Sequence, residues 1–307
     1  MRFTTLGLAL MLAGTLSTAV MAEDSEDILS DEQTTAVAES AEEQYETRML
    51  SKQMSREEEI GFETLAFLPY GANYFVPVSY YSAYGEQVLS KENDYKPIET
   101  EFQFSLKFPL HRSILMDNDM AFIAYTQRSY WQLYTTSSPF RETNYQPEIV
   151  YSMKDIGEVN NVSLSALNLS FNHQSNGQSG ELSRSWNRLI GTMALEYHRF
   201  TFGGQVWWRV PESASVDDNP DITDYLGDGQ FLCAFRPAKE HLLTLRLQNH
   251  LESSFSKGSS ELTWSIPIKG SRLKWYLKAF AGYGDSLADY NRFVQRYSIG
   301  FAMSDIL

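Results

Sequence analysis

Residues 273–284 read LKWYLKAFAGYG, and apolar side chains recur in this stretch at every second position. In an extended chain Trp275 and Leu277 share one face, while Lys274 and Lys278 share the opposite face. A period of two is typical of a β-strand with one apolar and one polar face. The stretch therefore predicts a β-rich fold in which each strand has an apolar environment on one face and water on the other.

The same alternation recurs along the chain from about residue 70 onward. It is found in FQFSLKF (102–108), MAFIAYTQRSYWQLY (120–134), TMALEYHRF (192–200) and LLTLRLQNHL (242–251). Two architectures fit such segments, a soluble β-sandwich and a membrane β-barrel.

Three features favour the barrel. The segments run roughly 9 to 13 residues, against about 5–6 residues in soluble sheets. Their polar faces carry Lys, Arg and Gln, which a hydrated lumen accommodates. Aromatic residues make up 14% of the chain, and several stand at segment ends, where a membrane barrel has its interfacial girdles. These are Tyr130, Trp131, Trp207, Trp208, Tyr290 and Tyr297.

The length of the alternating region sets the number of strands. At about 20 residues for each strand and its connection, residues 70–307 hold about twelve strands. We therefore predict an all-β fold, a twelve-stranded antiparallel transmembrane β-barrel, as one domain over residues 61–307.

The N-terminal part of the chain has a different composition. Arg2, the apolar run Leu6–Leu16 and the small-residue site at Ala22 predict a secretory signal peptide over residues 1–22. Residues 23–60 contain thirteen Asp and Glu against three Lys and Arg, in a chain of net charge −14. This composition predicts an acidic, flexible segment, with a weak amphipathic helix as the alternative. The rest of the chain is close to charge balance and lacks the basic surface that nucleic-acid binding requires.

The stretch FNHQSNGQSGELSRSWNR (171–188) predicts a hairpin with polar side chains on its apolar face. If the turn is centred on Gly180, residue i faces residue 360 − i, so that His173 lies opposite Asn187. Ser175 shares the face of His173 because the two are separated by one residue. Directly opposed side chains have Cβ atoms about 4.5–5.5 Å apart, within reach of a hydrogen bond.

Polar groups on the lipid-facing side of a membrane protein are costly and tend to be functional. A serine, a histidine and a third polar group that holds the histidine form the arrangement of nucleophile, base and orienting residue. Ser175 would attack an ester carbonyl, His173 would accept its proton, and Asn187 would hold the ring. The spacing alone leaves a second interpretation open, a polar hairpin tip without catalytic function.

Longer motifs favour the catalytic interpretation. The segments NHQSNG and SRSWNR of this hairpin resemble the active-site signature of the outer-membrane phospholipase A family of Gram-negative bacteria. The resemblance extends to NYFVPVS (73–79), SSPFRETNYQPE (137–148) and DDNPDIT (217–223). It covers the chain from about residue 60 to the end.

The resemblance implies a calcium-dependent enzyme of the outer membrane that is active as a homodimer. The family hydrolyses acyl esters of membrane phospholipids at either glycerol position, and lysophospholipids as well. By position, the resemblance implies that His173 is the base, Ser175 the nucleophile and Asn187 the orienting residue.

The resemblance also implies a calcium site and a subunit interface. The calcium ligands fall on the main-chain carbonyl of Gln178, the hydroxyl of Ser183, and Ser137 of the second subunit. Gln127 falls on the family's interface glutamine, with a lumen-facing glutamine as the alternative. The chain ends in Leu307, where barrel proteins usually end in an aromatic assembly signal, so we expect less efficient insertion.

Two other functions fit a β-rich exported chain. A non-enzymatic outer-membrane barrel, such as a porin or an adhesin, predicts solute efflux without fatty-acid release. A soluble periplasmic esterase built on a sandwich predicts extraction without detergent.

Overall fold

The structure is a computed structural model that describes residues 49–64, 66–84, 95–249 and 256–305. The predicted signal peptide, residues 23–48 of the acidic segment and Leu307 lie outside the described residues. Within the described ranges, no helix has both the length and the apolar character needed to cross a membrane.

Twelve long antiparallel strands close into a barrel, which confirms the predicted fold class. From β2 onward each strand pairs with the next one in the chain, and β13 pairs with β2 to close the sheet. The two-residue β1 pairs with β3 just beyond the last β2–β3 pair, so it extends the first barrel strand. The strands are Leu68–Pro69 (β1), Asn73–Tyr84 (β2), Ile98–Arg112 (β3), Asp119–Trp131 (β4), Phe140–Val159 (β5), Val162–Ser175 (β6), Ser185–Tyr197 (β7), Phe200–Arg209 (β8), Gly229–Phe235 (β9), Leu242–Gln248 (β10), Ser259–Pro267 (β11), Lys274–Gly282 (β12) and Phe293–Ser304 (β13).

The alternation of the sequence becomes two barrel faces. On β12 the side chain of Trp275 is exposed on the outer wall, while those of Tyr276 and Lys278 are buried in the lumen. On β3 Phe104 is exposed and its neighbour Ser105 is buried, as their alternation predicts. The apolar face of these strands therefore forms the outer wall, and the polar face lines the lumen.

The aromatic girdle is only partly as predicted. Trp208 and Tyr297 are more than half exposed on the outer wall, but Tyr130, Trp207 and Tyr290 are buried. For Tyr130 and Trp207 the reason is geometric, because successive residues of a strand point to opposite faces. Tandem aromatics such as Trp207 and Trp208 can place only one ring on the outer wall. Tyr290 lies in the loop at 283–292, between β12 and β13.

The two ends of the barrel differ in the length of their connections. Residues 132–139, 176–184, 210–228 and 283–292 form loops at one end, which we call the long-loop end. The opposite end, the short-turn end, is joined by shorter connections such as residues 160–161 and 198–199. In bacterial outer-membrane barrels the longer loops are extracellular and the short turns periplasmic.

Buried ion pairs fill the lumen. Glu99 accepts two hydrogen bonds from Arg141, at 2.9 and 3.0 Å, and pairs with Arg296 at 3.0 Å. Arg296 also donates to Asp285 at 2.6 Å, which ties the loop at 283–292 to the inner wall. Arg128 and Lys278 both pair with Glu101. The interior is thus a packed polar core.

A small apolar core lies at the long-loop end. It joins the start of β7 to the loops through α2 (Ile222–Leu226) and the loop at 283–292. Its buried members are Trp186, Ile190, Trp207, Ile222, Leu226, Leu287 and Tyr290. Tyr290 also donates a hydrogen bond to Asp221. Burial and this hydrogen bond raise the pKa of Tyr290 above its usual value, so the phenol remains a donor.

The helix α1 (Met49–Thr64) precedes the barrel and crosses the predicted boundary between residues 60 and 61. Its Glu57 pairs with Lys107 of β3. Its Leu50 N–H donates to the buried carboxylate of Glu196, next to a short turn, at 2.8 Å. These contacts hold α1 against lumen-facing residues toward the short-turn end.

Candidate active site

The hairpin β6–β7 has the register that the sequence predicts. His173 pairs with Asn187 and Ser175 with Ser185, and the rule that residue i faces 360 − i holds from Ala166 to Ser175. This face points outward, since Phe171 and Leu189 on it are more than two-fifths exposed. The predicted catalytic residues therefore lie on the lipid-facing wall, at the long-loop end.

A hydrogen bond joins two of the three predicted catalytic residues. His173 Nδ1 lies 2.8 Å from Asn187 Oδ1. An amide oxygen can only accept, so in the neutral ring Nδ1 carries the proton and Nε2 has the lone pair. The half-buried imidazole thus presents a basic nitrogen on its far side.

Ser175 occupies the last position of β6, two residues beyond His173 on the same face. Its Oγ accepts a hydrogen bond from the Gly177 N–H at 3.0 Å. Among the residues that the structure describes, no hydrogen bond joins Ser175 to His173. Alternate residues of a strand are about 6.6 Å apart along the chain, so contact between them depends on the Ser175 side-chain rotamer.

Asn176 holds the turn that follows Ser175, and the sequence reasoning missed it. Its side chain is buried, and its Oδ1 accepts hydrogen bonds from the N–H groups of Gln178 at 3.2 Å and Arg184 at 3.0 Å. Its Nδ2 donates to the Leu182 carbonyl at 2.8 Å. The signal was present, because asparagine before glycine commonly bonds the backbone two residues on and forms a turn.

The turn held by Asn176 contains both of this chain's predicted calcium ligands. Gln178 is exposed and Ser183 is half-buried. Neither the Gln178 carbonyl nor the Ser183 hydroxyl has a hydrogen bond within the described part of the chain. Gly180, between them, has φ of +63° and open space where a Cβ would stand. The turn thus offers oxygen donors and room, which suits a hard cation.

Carboxylate ligands are absent from this donor set. Within the described residues no group of three or more His, Cys, Asp or Glu side chains could hold a metal ion. The third predicted ligand, Ser137, is exposed in the loop at 132–139, on the far side of β5 from this turn. Ser137 has a φ of +64°. One copy of the chain therefore brings Gln178 and Ser183 into one turn and leaves Ser137 outside it.

Gln127 lies on the outer wall and not in the lumen. It pairs with the outward-facing Tyr145 across β4 and β5, and the neighbouring Tyr125 hydroxyl donates to its Oε1 at 2.9 Å. Its Nε2 donates to Ser129 Oγ at 3.2 Å.

The loop at 210–228 supplies further contacts to the hairpin that the sequence did not indicate. Asn187 Nδ2 donates to Glu212 Oε1 at 3.0 Å. The Ser185 N–H donates to the side-chain oxygen of the buried Asn219, also at 3.0 Å. These partners are 25 and 34 residues away along the chain, and only the folded loop reveals them.

An apolar groove on the outer wall begins at His173. Its volume is about 460 Å³, and it runs over the outward faces of β3 to β6. Outward residues that line it include Leu106, Ile123, Tyr125, Ile149 and Phe171. The base of the predicted triad thus stands at one side of a surface that suits a hydrocarbon chain.

Comparisons with known proteins match most of this chain. The family model described as Phospholipase A1 matches residues 50–303. A protein named Phospholipase A1 from Escherichia coli strain K12 is 35% identical over 243 residues, which is 78% of this chain and 81% of that protein.

Two solved structures share the fold. The crystal structure of the Salmonella typhi outer membrane phospholipase dimer with bound calcium gives a TM-score of 0.73 at 33% identity. The match covers 80% of this chain and 94% of the Salmonella typhi chain. Outer membrane phospholipase A from Escherichia coli, as an asparagine-to-alanine active-site mutant, gives a TM-score of 0.73 at 32% identity with the same coverage.

Proposed function

Because this chain belongs to the phospholipase A1 family, we propose that it hydrolyses acyl esters through Ser175, His173 and Asn187 with the help of calcium. The fold and the family assign the enzyme to the outer membrane of a Gram-negative cell. Its proposed substrates are membrane phospholipids, at both glycerol ester positions, and lysophospholipids.

The reaction begins when Ser175 Oγ attacks the ester carbonyl carbon and His173 Nε2 takes the hydroxyl proton. The Ser175 hydroxyl first rotates from the Gly177 N–H toward His173, and catalytic hydrogen bonds often tighten only when substrate is bound. Collapse of the tetrahedral intermediate breaks the ester C–O bond, and His173 returns the proton to the leaving glycerol oxygen. Water then attacks the acyl-enzyme with the same base, and the fatty acid leaves.

Asn187 orients the base, but a neutral amide does not offset the charge of the imidazolium. The tetrahedral intermediate, which pairs this imidazolium with an oxyanion, then depends more strongly on groups that stabilise the oxyanion. The Ser175 N–H is one proposed donor. The carbonyl of Gln178 and the hydroxyl of Ser183 would hold calcium in the same hairpin, and Asn176 fixes the turn that carries them. When bound there, calcium supplies positive charge that stabilises the oxyanion.

The homodimer is proposed as the active form because one copy supplies few of the ligands. Calcium takes about 6–8 oxygen ligands, and this chain offers two neutral ones in the turn. Ser137 of a second copy would add a third, and water would fill the remaining positions, so the proposed set of protein ligands is complete only in the dimer. The Salmonella typhi relative was crystallised as a dimer with bound calcium, which supports this proposal.

The hydrogen bond between His173 and Asn187 on the lipid-facing wall is the main observation in support of the proposal. The test is fatty-acid release from phospholipid in detergent by the refolded protein, titrated with calcium and then with a chelator. We expect release that rises with calcium and disappears on chelation. Solute efflux from liposomes with no fatty-acid release at any calcium concentration would instead favour a porin.

Mixed dimers test the contribution of Ser137. Ser137→Ala and Ser175→Ala are refolded separately and together, and calcium-dependent hydrolysis is measured. A mixed dimer has one complete site. The Ser175→Ala subunit keeps Ser137, which completes the calcium site of the other subunit, and that other subunit keeps Ser175. Random pairing makes half of the dimers mixed, so the mixture should recover about a quarter of the wild-type rate. A mixture no more active than the average of the two single variants contradicts a shared site.

A further inference from the structure

We propose that Glu212 is a positioning residue that sets the orientation of the Asn187 amide and, through it, the tautomer of His173. The inference rests on the proposed function of the hairpin and adds a fourth side chain to it. Glu212 lies in the loop at 210–228, on a different element from the other three residues.

The chain of hydrogen bonds has one allowed direction. A carboxylate can only accept, so Glu212 Oε1 requires the NH₂ group of Asn187 on its side, where Nδ2 lies at 3.0 Å. The amide oxygen then faces His173 Nδ1 at 2.8 Å, and this oxygen also only accepts. The proton of the neutral ring is therefore on Nδ1, and the lone pair is on Nε2, the nitrogen that must take the Ser175 proton.

Without Glu212, nothing in this relay distinguishes the two orientations of the amide. A flipped Asn187 turns its NH₂ group toward His173 Nδ1, which then acts as an acceptor and leaves the proton on Nε2. A base with a proton already on Nε2 cannot activate Ser175. The fraction of enzyme with a competent base thus depends on the group behind Asn187.

The backbone around Glu212 is anchored to the hairpin and to its own loop. The Val210 N–H donates to the Asn187 carbonyl at 2.8 Å, two residues before Glu212. Beyond it, the Val216 N–H donates to the Ser213 carbonyl at 2.9 Å. Arg209 pairs with Asp217 at 2.6 Å and closes this part of the loop. The half-buried carboxylate therefore approaches Asn187 from a fixed direction.

Substitutions at residue 212 separate orientation from charge. Glu212→Ala should lower kcat about 10-fold with little change in KM, the effect of losing one hydrogen bond to a charged group. Glu212→Gln keeps an acceptor oxygen and should recover most of that loss. Asp218→Ala, which removes an exposed carboxylate from the same loop, is the matched control.

Two further measurements exclude a merely structural role. The ¹⁵N shifts of His173 should report an Nδ1–H ring in the wild type and a mixture of tautomers in Glu212→Ala. In an Asn187→Asp background no amide needs orienting, so Glu212→Ala should not lower kcat further. An equal loss in both backgrounds, or an unchanged tautomer, would overturn the proposal. A wild type without hydrolysis but with the Nδ1–H ring would instead refute the proposed function alone.

Discussion

His173 and Asn187 face each other because two strands meet at a definite register, and their proposed chemistry depends on that pairing. The sequence predicted this contact from the centre of one turn, since a hairpin with a local turn leaves few registers. It did not predict Asn176, whose role depends on the conformation of the turn. Glu212 was also missed, because a loop 25 residues away has no periodicity that reveals its contacts.

The role of Asn187 gives the first prediction. Asn187→Ala should lower kcat by about 10²-fold, the lower end of the range for positioned proton transfer, because His173 loses the acceptor that fixes its ring. Initial rates of fatty-acid release at saturating calcium measure this. Unchanged kcat in a folded variant would remove Asn187 from the mechanism.

Asn176 gives a prediction about calcium. Asn176→Ala removes three hydrogen bonds that hold the turn of Gln178 and Ser183, so the half-saturating calcium concentration should rise about 10- to 100-fold. The rate at high calcium should largely return. Ser179→Ala, at an exposed position of the same turn, is the control. A calcium dependence equal to that of the wild type would show that the hydrogen bonds of Asn176 do not hold the calcium-binding turn.

Each strand alternates apolar and polar residues along its length, and this is why the strands could be predicted well from the sequence. Alternation identified the outer wall of β3 and β12 and the lumen-facing Lys278 and Ser105. It failed for tandem aromatics, where one residue of each pair must turn inward. Alternation did not identify α1, and the composition of residues 23–60 left a weak amphipathic helix only as the alternative. Residues 49–64 have a weak apolar pattern and are fixed by contacts such as Glu57 with Lys107.

The assignment of the outward and lumen faces of the strands can be tested by placing an arginine on each face. Leu169→Arg places a cation on an outward residue that is 60% exposed and should destabilise the barrel by about 2–4 kcal/mol. Gln205→Arg, on the lumen side of β8, should cost less because a polar interior accepts charge. Unfolding free energies in lipid vesicles provide the comparison. The reverse order would mean that the assigned faces are exchanged.

Inside the barrel, buried ion pairs join distant strands and one long loop. Arg296 connects Glu99 of β3 with Asp285 of the loop at 283–292. The sequence showed that the lumen would be polar, but the pairing of its charges depends on closure of the barrel. Such pairs cross strands that are far apart in the chain, and alternation contains no information about them.

Breaking this network should be costly. Arg296→Met leaves the buried Glu99 and Asp285 without a shared partner, so the free energy of unfolding should fall by about 3–5 kcal/mol. Arg246→Met breaks a more exposed pair with Glu261 and should cost at most about 1 kcal/mol. Denaturant unfolding followed by tryptophan fluorescence measures both. Equal effects would mean that the lumen is hydrated and screened.

The proposed function places ester hydrolysis on the outward face of the β6–β7 hairpin, with Ser175 as the nucleophile. Its most direct test compares fatty-acid release by Ser175→Ala and Ser179→Ala, refolded in the same detergent with saturating calcium. Heat-modifiable migration on gels verifies that both barrels have folded. We expect release at background level for Ser175→Ala and near the wild-type rate for Ser179→Ala. Hydrolysis by folded Ser175→Ala at the wild-type rate would contradict it.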